Sequence, residues 1–334
     1  MNAPRRIEIV GGGLAGLALG LGLRQRDIPV TILEAGSYPR HRVCGEFITA
    51  LDDETRHTLH LEEALQPARP ARGVAWQENG RTVLRHQLPS PALCLSRHRL
   101  DATLANAFVQ AGGELVTGCR ARASAAPGRV IACGRRAATR SPWMGLKQHF
   151  RQLELSDDLE LHFDRKAYVG LTRVEDGIVN VCGLFPRGTG SLAAKCRAAG
   201  MPELSDRLQA AEPVEDSFCA VAGLDYRAQR GTPAVVSLGD HHGLIPPFTG
   251  NGMTIALQSA AAALPHLENW SRHGGDWEGS RHRIRRELAR RFGRRLAWGR
   301  LFHPWLLSAR RRRWLIALNR SGLLPFQPLY RLLH

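Results

Sequence analysis

Apolar and polar positions change period along this chain, and the changes mark its elements. Arg6–Val10, RIEIV, is a short β-branched run suited to a buried strand. GGGLAG follows, then LALGLGLRQR with apolar residues at helical spacing, then a second strand, VTILEAG. LCLSRHRLDATLANAFVQAGG predicts a strand, an arginine and a helix whose apolar face is 100, 104, 105 and 108. GRVIACGRRAATR predicts a short strand running into Gly134. PAVVSLGD predicts one ending on Asp240, and TIALQSAAAAL a helix after a Gly- and Pro-rich loop. Strands alternating with helices predict an α/β unit around a parallel sheet.

Between these segments the period falls to two. GVAWQENGRTVLRHQL, within residues 70–91, is two alternating runs around Asn79-Gly80, a hairpin signal. Residues 141–229 hold LELHFD, AYVGLTRV, GIVNVCGLF and DSFCAVAGL, which predict an antiparallel sheet. The expected organisation is a discontinuous nucleotide-binding domain over 1–69, 92–140 and 230–270. Residues 70–91 and 141–229 form a substrate domain, and 271–334 a basic helical C-terminal region.

Composition changes this picture in three places. At 334 residues, 43% of them hydrophobic, the chain can bury a core of about two domains. It has no apolar tract of the roughly 20 residues a bilayer span needs. The apolar start, IEIVGGGLAGLALGLGL, is interrupted by Glu8 and regularly spaced glycines, unlike a signal peptide. Seven scattered cysteines with no CxxC spacing point to a reducing cytoplasm and away from a zinc site or disulfide framework. The charge is localised: residues 281–334 carry fifteen Arg and one acid, Glu287, and so hold fourteen of the sixteen net positive charges.

The first strand, glycine turn and helix contain Gly11-x-Gly13-x-x-Gly16, and the second strand ends on Glu34. Gly11 permits the tight turn, Gly13 lets the backbone approach a pyrophosphate, and Gly16 lets helix and strand pack closely. The helix N-terminus, with the N–H groups of Leu14 and Ala15, offers positive dipole to phosphates. Glu34, beside Ala35, is placed to accept hydrogen bonds from an adenosine ribose. The motif alone does not separate NAD from FAD.

Together with SRHRLD and LGDHHGLIPPFTGNGM in this order, these residues resemble the FAD-dependent superfamily of para-hydroxybenzoate hydroxylase and geranylgeranyl reductase. The resemblance covers most of residues 1–270. It implies a Rossmann-like FAD-binding domain of GR2 type, an antiparallel sheet inserted over the flavin, and C-terminal helices. It puts Arg42, Arg97, Gly239, Asp240, Pro247, Gly250, Asn251, Gly252 and Met253 at the cofactor. Asp240 would hold the ribityl chain, and Gly250, Asn251 and Gly252 would cover the pyrimidine edge of the isoalloxazine. PRHRVCGEF and the runs after WMGLKQHF lean towards the reductase-like branch. The family's usual Ala-Asp-Gly reads Ala132-Cys133-Gly134 here, and the Trp-x-Trp-x-Ile-Pro motif of flavin-dependent halogenases is absent. Neither named activity is therefore transferred.

The expected function is an FAD-dependent dehydrogenase or reductase acting on an apolar molecule such as an isoprenoid, lipid or polyketide. An aromatic-type monooxygenase using NAD(P)H and oxygen is the alternative, and a non-catalytic flavin-binding protein a third. Cys44, Glu46, Lys147, His149 and Tyr168 fall in segments that the resemblance places near flavin or substrate. Each is equally a packing residue. His241 and His242 stand in the flavin loop without the acidic or Cys companions of a metal site. RGTGSLAA, Arg187–Ala194, is a partial GxGxxA with no second βαβ unit, so NAD(P)H would bind transiently. The basic tail, with Trp298, Trp305 and the cluster Arg310–Arg313, suits either an anionic membrane surface or helices packed on the substrate domain. No nucleic-acid motif accompanies the charge.

Overall fold

The computed structural model describes residues 3–136, 141–164, 167–226 and 234–334. The end of the predicted run GRVIACGRRAATR, residues 137–140, lies outside them. Two sheets organise the chain. The first is parallel throughout, with strands Ile7–Val10, Val30–Leu33, Glu114–Val116, Arg129–Ile131 and Val236–Ser237. In chain order their spatial order is 3-2-1-4-5, so the direction of winding reverses between Ile7–Val10 and Arg129–Ile131. Open sheets of this kind bind ligands at that reversal, outside the carboxyl ends of the strands.

The helix Leu14–Arg24 is buried at every position from Leu14 to Leu23. An all-round apolar helix must be covered on all sides. Here the sheet, the helix Arg97–Gln110 and the helix Gly252–His273 cover it. Arg97–Gln110 buries Leu100, Leu104, Ala105 and Phe108, the face its spacing predicts, and starts at Ser96, whose hydroxyl accepts from Arg99 N–H at 3.1 Å.

Among the described residues the second sheet has nine strands. Its hairpin, Arg69–Glu78 with Arg81–Cys94, turns at Asn79 and Gly80, with φ of 51° and 69°. Two positive φ values make the tight turn that Asn-Gly favours. Trp143–Arg151, Leu159–Asp164, Ala167–Arg173 and Val179–Pro186 form an antiparallel group. The expected all-antiparallel pairing is broken once, because Val74–Gln77 runs parallel to Leu159–His162. These strands are separated by a return through the first sheet, so no hairpin forces them antiparallel.

The C-terminal region is built into both halves. The helix Trp277–Leu307 places Ile284, Leu288, Phe292 and Leu296 in the core around the parallel sheet. Its last turn packs Leu306 and Leu307 with Phe163, Tyr168 and Leu184 of the second sheet. The helices Ala309–Arg320 and Phe326–Leu333 complete the chain. Arg312, inside the basic cluster, is 1% exposed and donates to Glu78 Oε1 at 2.7 and 3.1 Å and to the Leu306 carbonyl at 2.7 Å. One of the four clustered arginines is therefore a structural pin rather than a surface charge.

Removing one partner of a buried ion pair strands the other, at about 3–5 kcal/mol. Arg312→Ala is expected to lower the melting temperature by several degrees. Arg313→Ala, exposed on the same helix, should stay within about 0.5 kcal/mol of wild type. Equal melting temperatures for the two variants would remove Arg312 from the core.

Candidate functional site

The turn Gly11–Gly13 lies at the reversal of the parallel sheet. Gly11 has φ +107°, and a Cβ there would meet the Ala132 and Cys133 backbone at 2.5–2.6 Å. A Cβ on Gly16 would meet the Gly11 carbonyl at 2.0 Å. Both are glycines because of this chain's own packing. Gly13 is not: its φ is −85°, and the nearest atom to its Cβ position is Arg97 Nη2 at 4.0 Å. Its open side faces outward beside the start of Leu14–Arg24, which has no side-chain cap. Uncapped N–H groups next to open space suit a diphosphate.

Glu34, 5% exposed, is already engaged. Oε2 accepts from Gly12 N–H at 2.8 Å, and Oε1 accepts from Gly36 N–H at 2.9 Å and from Arg40 at 3.0 Å. A carboxylate has about four acceptor positions, so roughly one remains for a ribose hydroxyl. Tyr38, which sequence reasoning passed over, donates its hydroxyl to the Gly12 carbonyl and walls this corner. Ala35 follows in the turn that places Gly36 N–H on Glu34.

Arg42 and Arg97 converge on Asp101, which is 1% exposed. Arg97 makes two hydrogen bonds of 2.7 Å to it and Arg42 one of 2.9 Å. Asp101 thus neutralises one guanidinium and leaves positive charge beside Gly13. Cys44 packs against this group, and burial pushes its thiol up. Glu46, completely buried and at φ +60°, accepts from Arg97 N–H at 3.1 Å. Its Oε2 lies 2.6 Å from His149 Nε2 and its Oε1 3.3 Å from Lys147 Nζ. Burial pushes the Glu46 carboxyl up, but these two partners together hold it below the usual carboxylate range. Lys147 also meets His41 Nδ1 at 2.9 Å. Three of the candidates, Glu46, Lys147 and His149, therefore satisfy one another between the strand Trp143–Arg151 and the segment before Phe47, and are closed to solvent.

The second motif folds as two short turns, Gly239–His241 and Pro247–Thr249, leading into the 22-residue helix Gly252–His273. Gly239 N–H donates to Ser259 Oγ at 2.9 Å, which fixes the strand end on this helix. Asp240 has only distant charges, Arg97 and Arg135, to oppose burial, and its carboxyl is pushed up to about 6. Among the described residues this half-buried carboxylate has no hydrogen-bond donor, and a ligand hydroxyl would supply one. The helix start has no side-chain cap, a Cβ on Gly252 would meet nothing within 4 Å, and Asn251 Oδ1 is buried without a partner. Met253 turns inward to the core. His241 contacts Cys133 and the Gly134 carbonyl. His242 is partly buried.

Beyond this loop lies an apolar cavity of about 130 Å³. Its walls are the hairpin (Val74, Trp76, Leu84), the strand Leu159–Asp164, Phe248 and Thr249, and the C-terminal helices. The last helix closes it: His334 Nε2 lies 2.9 Å from Thr49 Oγ1, and Asn251 Nδ2 donates to the Leu333 carbonyl at 2.6 Å. Tyr168 sits in the neighbouring aromatic cluster, its hydroxyl facing the Phe248 backbone. That cluster also holds Tyr226, with its ring 4.8 Å from His303. His303 is 9% exposed with neither nitrogen partnered, and burial pushes it down to about 4. Sequence reasoning missed His303 and Tyr226; a single histidine in an arginine-rich helix carries no local signal.

No protein-family model matches the chain, and no curated protein matches it by sequence. Solved structures do. The flavin-dependent brominase Bmp2 superposes with a TM-score of 0.73 at 16% identity, over 99% of this chain and 93% of its own. HpxO of Klebsiella pneumoniae, solved with FAD and uric acid, gives 0.74 at 14% identity, over 98% and 96%. PqsL of Pseudomonas aeruginosa, solved with 2-aminobenzoylacetate, gives 0.69 at 16% identity, over 93% and 98%. The fold is thus the one these flavoproteins share, a parallel nucleotide-type sheet with a large second sheet and C-terminal helices.

Two outcomes test the site. Gly13→Val adds a side chain into open space, so the protein should fold with an unchanged melting temperature yet lose FAD. Retained FAD would refute the assignment of this turn. Ribityl hydroxyls would stabilise the Asp240 carboxylate, so its pKa in the complex lies below the value of about 6 in the free protein. Affinity for FAD should therefore fall as pH drops below about 6, and Asp240→Asn should flatten that dependence. A fluorescence titration at several pH values reads both.

Proposed function

We propose that this chain is an FAD-dependent oxidoreductase acting on an apolar small molecule. The observation that carries this reading is the pairing of two uncapped helix N-termini, at Leu14 and Gly252. Each has a glycine that nothing among the described residues requires, and Asp240, a carboxylate with no donor among them, belongs to the second motif. One extended dinucleotide fits both ends. Gly13, Leu14, Ala15 and Gly16 would hold the pyrophosphate, Glu34 the ribose, and Asp240 the ribityl chain. Gly250, Asn251 and Gly252 would meet the ring. Bound there, FAD supplies reversible two-electron transfer.

The chain's own residues then divide the work. Arg42 and Arg97 balance phosphate charge, and the Glu46–Lys147–His149 cluster holds the segment bearing Cys44 against the second sheet. The cavity binds apolar surface and excludes water, while Thr49, Thr249 and His334 are polar groups in its lining on the flavin-loop side. Ser191 caps the helix Leu192–Ala198, so Arg187–Ala194 forms a loop and helix start rather than a second nucleotide site. NAD(P)H would then act as a transient reductant. No helix among the described residues is long and apolar enough to cross a membrane. The concentrated tail charge supports peripheral attachment to an anionic membrane of a cytoplasmic protein.

Monooxygenation is the second reading, favoured by the fold neighbours crystallised with uric acid and 2-aminobenzoylacetate. Mass spectrometry of a co-purifying ligand, followed by turnover with NAD(P)H and, separately, with an artificial electron acceptor in place of NAD(P)H, separates the readings. A product changed by two hydrogens without oxygen uptake supports a dehydrogenase or reductase. Insertion of one oxygen atom with matching oxygen uptake supports a monooxygenase. A yellow protein that turns over neither way is a flavin carrier, and a colourless one that binds no FAD refutes the proposal.

A further inference from the structure

Seven large apolar side chains are exposed among the described residues, and four of them, Leu301, Trp305, Trp314 and Leu323, lie in the last 34 residues. Their exposures are 54%, 37%, 62% and 75%. Arg294, Ala297, Leu301 and Trp305 follow one another at spacings of three and four and are all exposed, so they share the outer face of Trp277–Leu307. On Ala309–Arg320, Arg310, Arg311, Arg313 and Trp314 are exposed, with Ala309, Ala317 and Arg320, while Arg312 and Ile316 turn inward. The Arg311 guanidinium lies 5.6 Å from the Trp305 ring and joins the two helices' outer faces. No acidic residue follows Glu287.

The inner faces of the same helices line the cavity, through Phe302, Leu306, Leu315 and Asn319. The barrier between the cavity and the aromatic, basic surface is therefore one helix thick. Exposed Trp with Arg and no acid complements an anionic lipid surface, where the rings sit at headgroup level and the guanidinia meet phosphates.

We propose that this outer face docks the protein on an anionic bilayer and that the cavity behind it takes a lipid-soluble substrate from that bilayer. The substrate part rests on the oxidoreductase reading above; the docking part does not. Dissolved in lipid, such a molecule reaches the cavity wall without crossing water.

Sedimentation with phosphatidylglycerol and with phosphatidylcholine vesicles tests the docking, using the FAD-containing protein. Wild type should bind phosphatidylglycerol vesicles at low salt and phosphatidylcholine vesicles far more weakly. Arg310→Ser/Arg311→Ser/Arg313→Ser, which spares Arg312, should lose up to about a hundredfold in affinity, from roughly fivefold per arginine. Trp305→Ser/Trp314→Ser should lose on the order of tenfold. Lipids brominated on the acyl chain should quench part of the wild-type tryptophan fluorescence, a reading that needs no variant. Three outcomes overturn the proposal: wild type ignores phosphatidylglycerol vesicles at low salt; the tryptophan variant binds like wild type and brominated lipid quenches nothing, which leaves only diffuse charge attraction; or a DNA duplex binds more tightly than the vesicles at equal salt. FAD content measured alongside separates the two ideas. A vesicle-bound protein that holds no FAD refutes the oxidoreductase reading alone, and a flavin-loaded protein that ignores vesicles refutes the docking alone.

Discussion

The structure depends on one buried charge. Glu46 is completely enclosed, and an isolated carboxylate in such a place is too costly to stay ionised. It is stable because Lys147 and His149 come from the second sheet and Arg97 N–H from the helix beside the first. The Arg97 N–H thus ties the helix packed beside the first sheet to a charge cluster held by the second. The segment from His41 to Phe47 lies between them. It carries Cys44 towards the crevice, while Phe47 begins a strand that pairs with Cys94 of the hairpin.

This placement creates a site at the boundary rather than inside either half. The parallel sheet contributes the glycine turn at the end of Ile7–Val10 and, in the turn that follows Val236–Ser237, Asp240. The second sheet contributes the apolar cavity wall. The long helix Trp277–Leu307 binds the halves together: its first turns belong to one core and its last turns to the other. At about 1.5 Å per residue its 31 residues reach roughly 46 Å, enough to span both.

The tail combines three physical roles that its composition runs together. Arg312 is buried against Glu78, Arg295 reaches Gln258 at 2.8 Å, and Arg290 and Arg291 pair with Glu287. Arg310, Arg311 and Arg313 stay at the surface. Burial sorts these groups: a guanidinium that leaves water must find an acceptor, and acceptors are few in this region. The apolar residues sort in the same way, Leu306 and Ile316 inward and Trp314 and Leu323 outward.

The sequence by itself determined whatever depends on near neighbours. The Gly11–Gly16 spacing, the Asn79-Gly80 turn and the apolar face of Arg97–Gln110 are each settled within a few residues, because backbone sterics and helical period act at that range. The strand expected to end on Asp240 stops at Ser237 instead, and Asp240 lies in the turn Gly239–His241 that follows it. Only the tertiary structure decided the partners of Glu46, which lie 51 to 103 residues away, and of Arg312, 234 residues away. It alone closed the cavity with the last helix and set His303 among aromatic rings without a hydrogen-bond partner. Contacts between distant residues leave no period in the chain, and a side chain's charge or polarity does not say which acceptor the fold will bring to it.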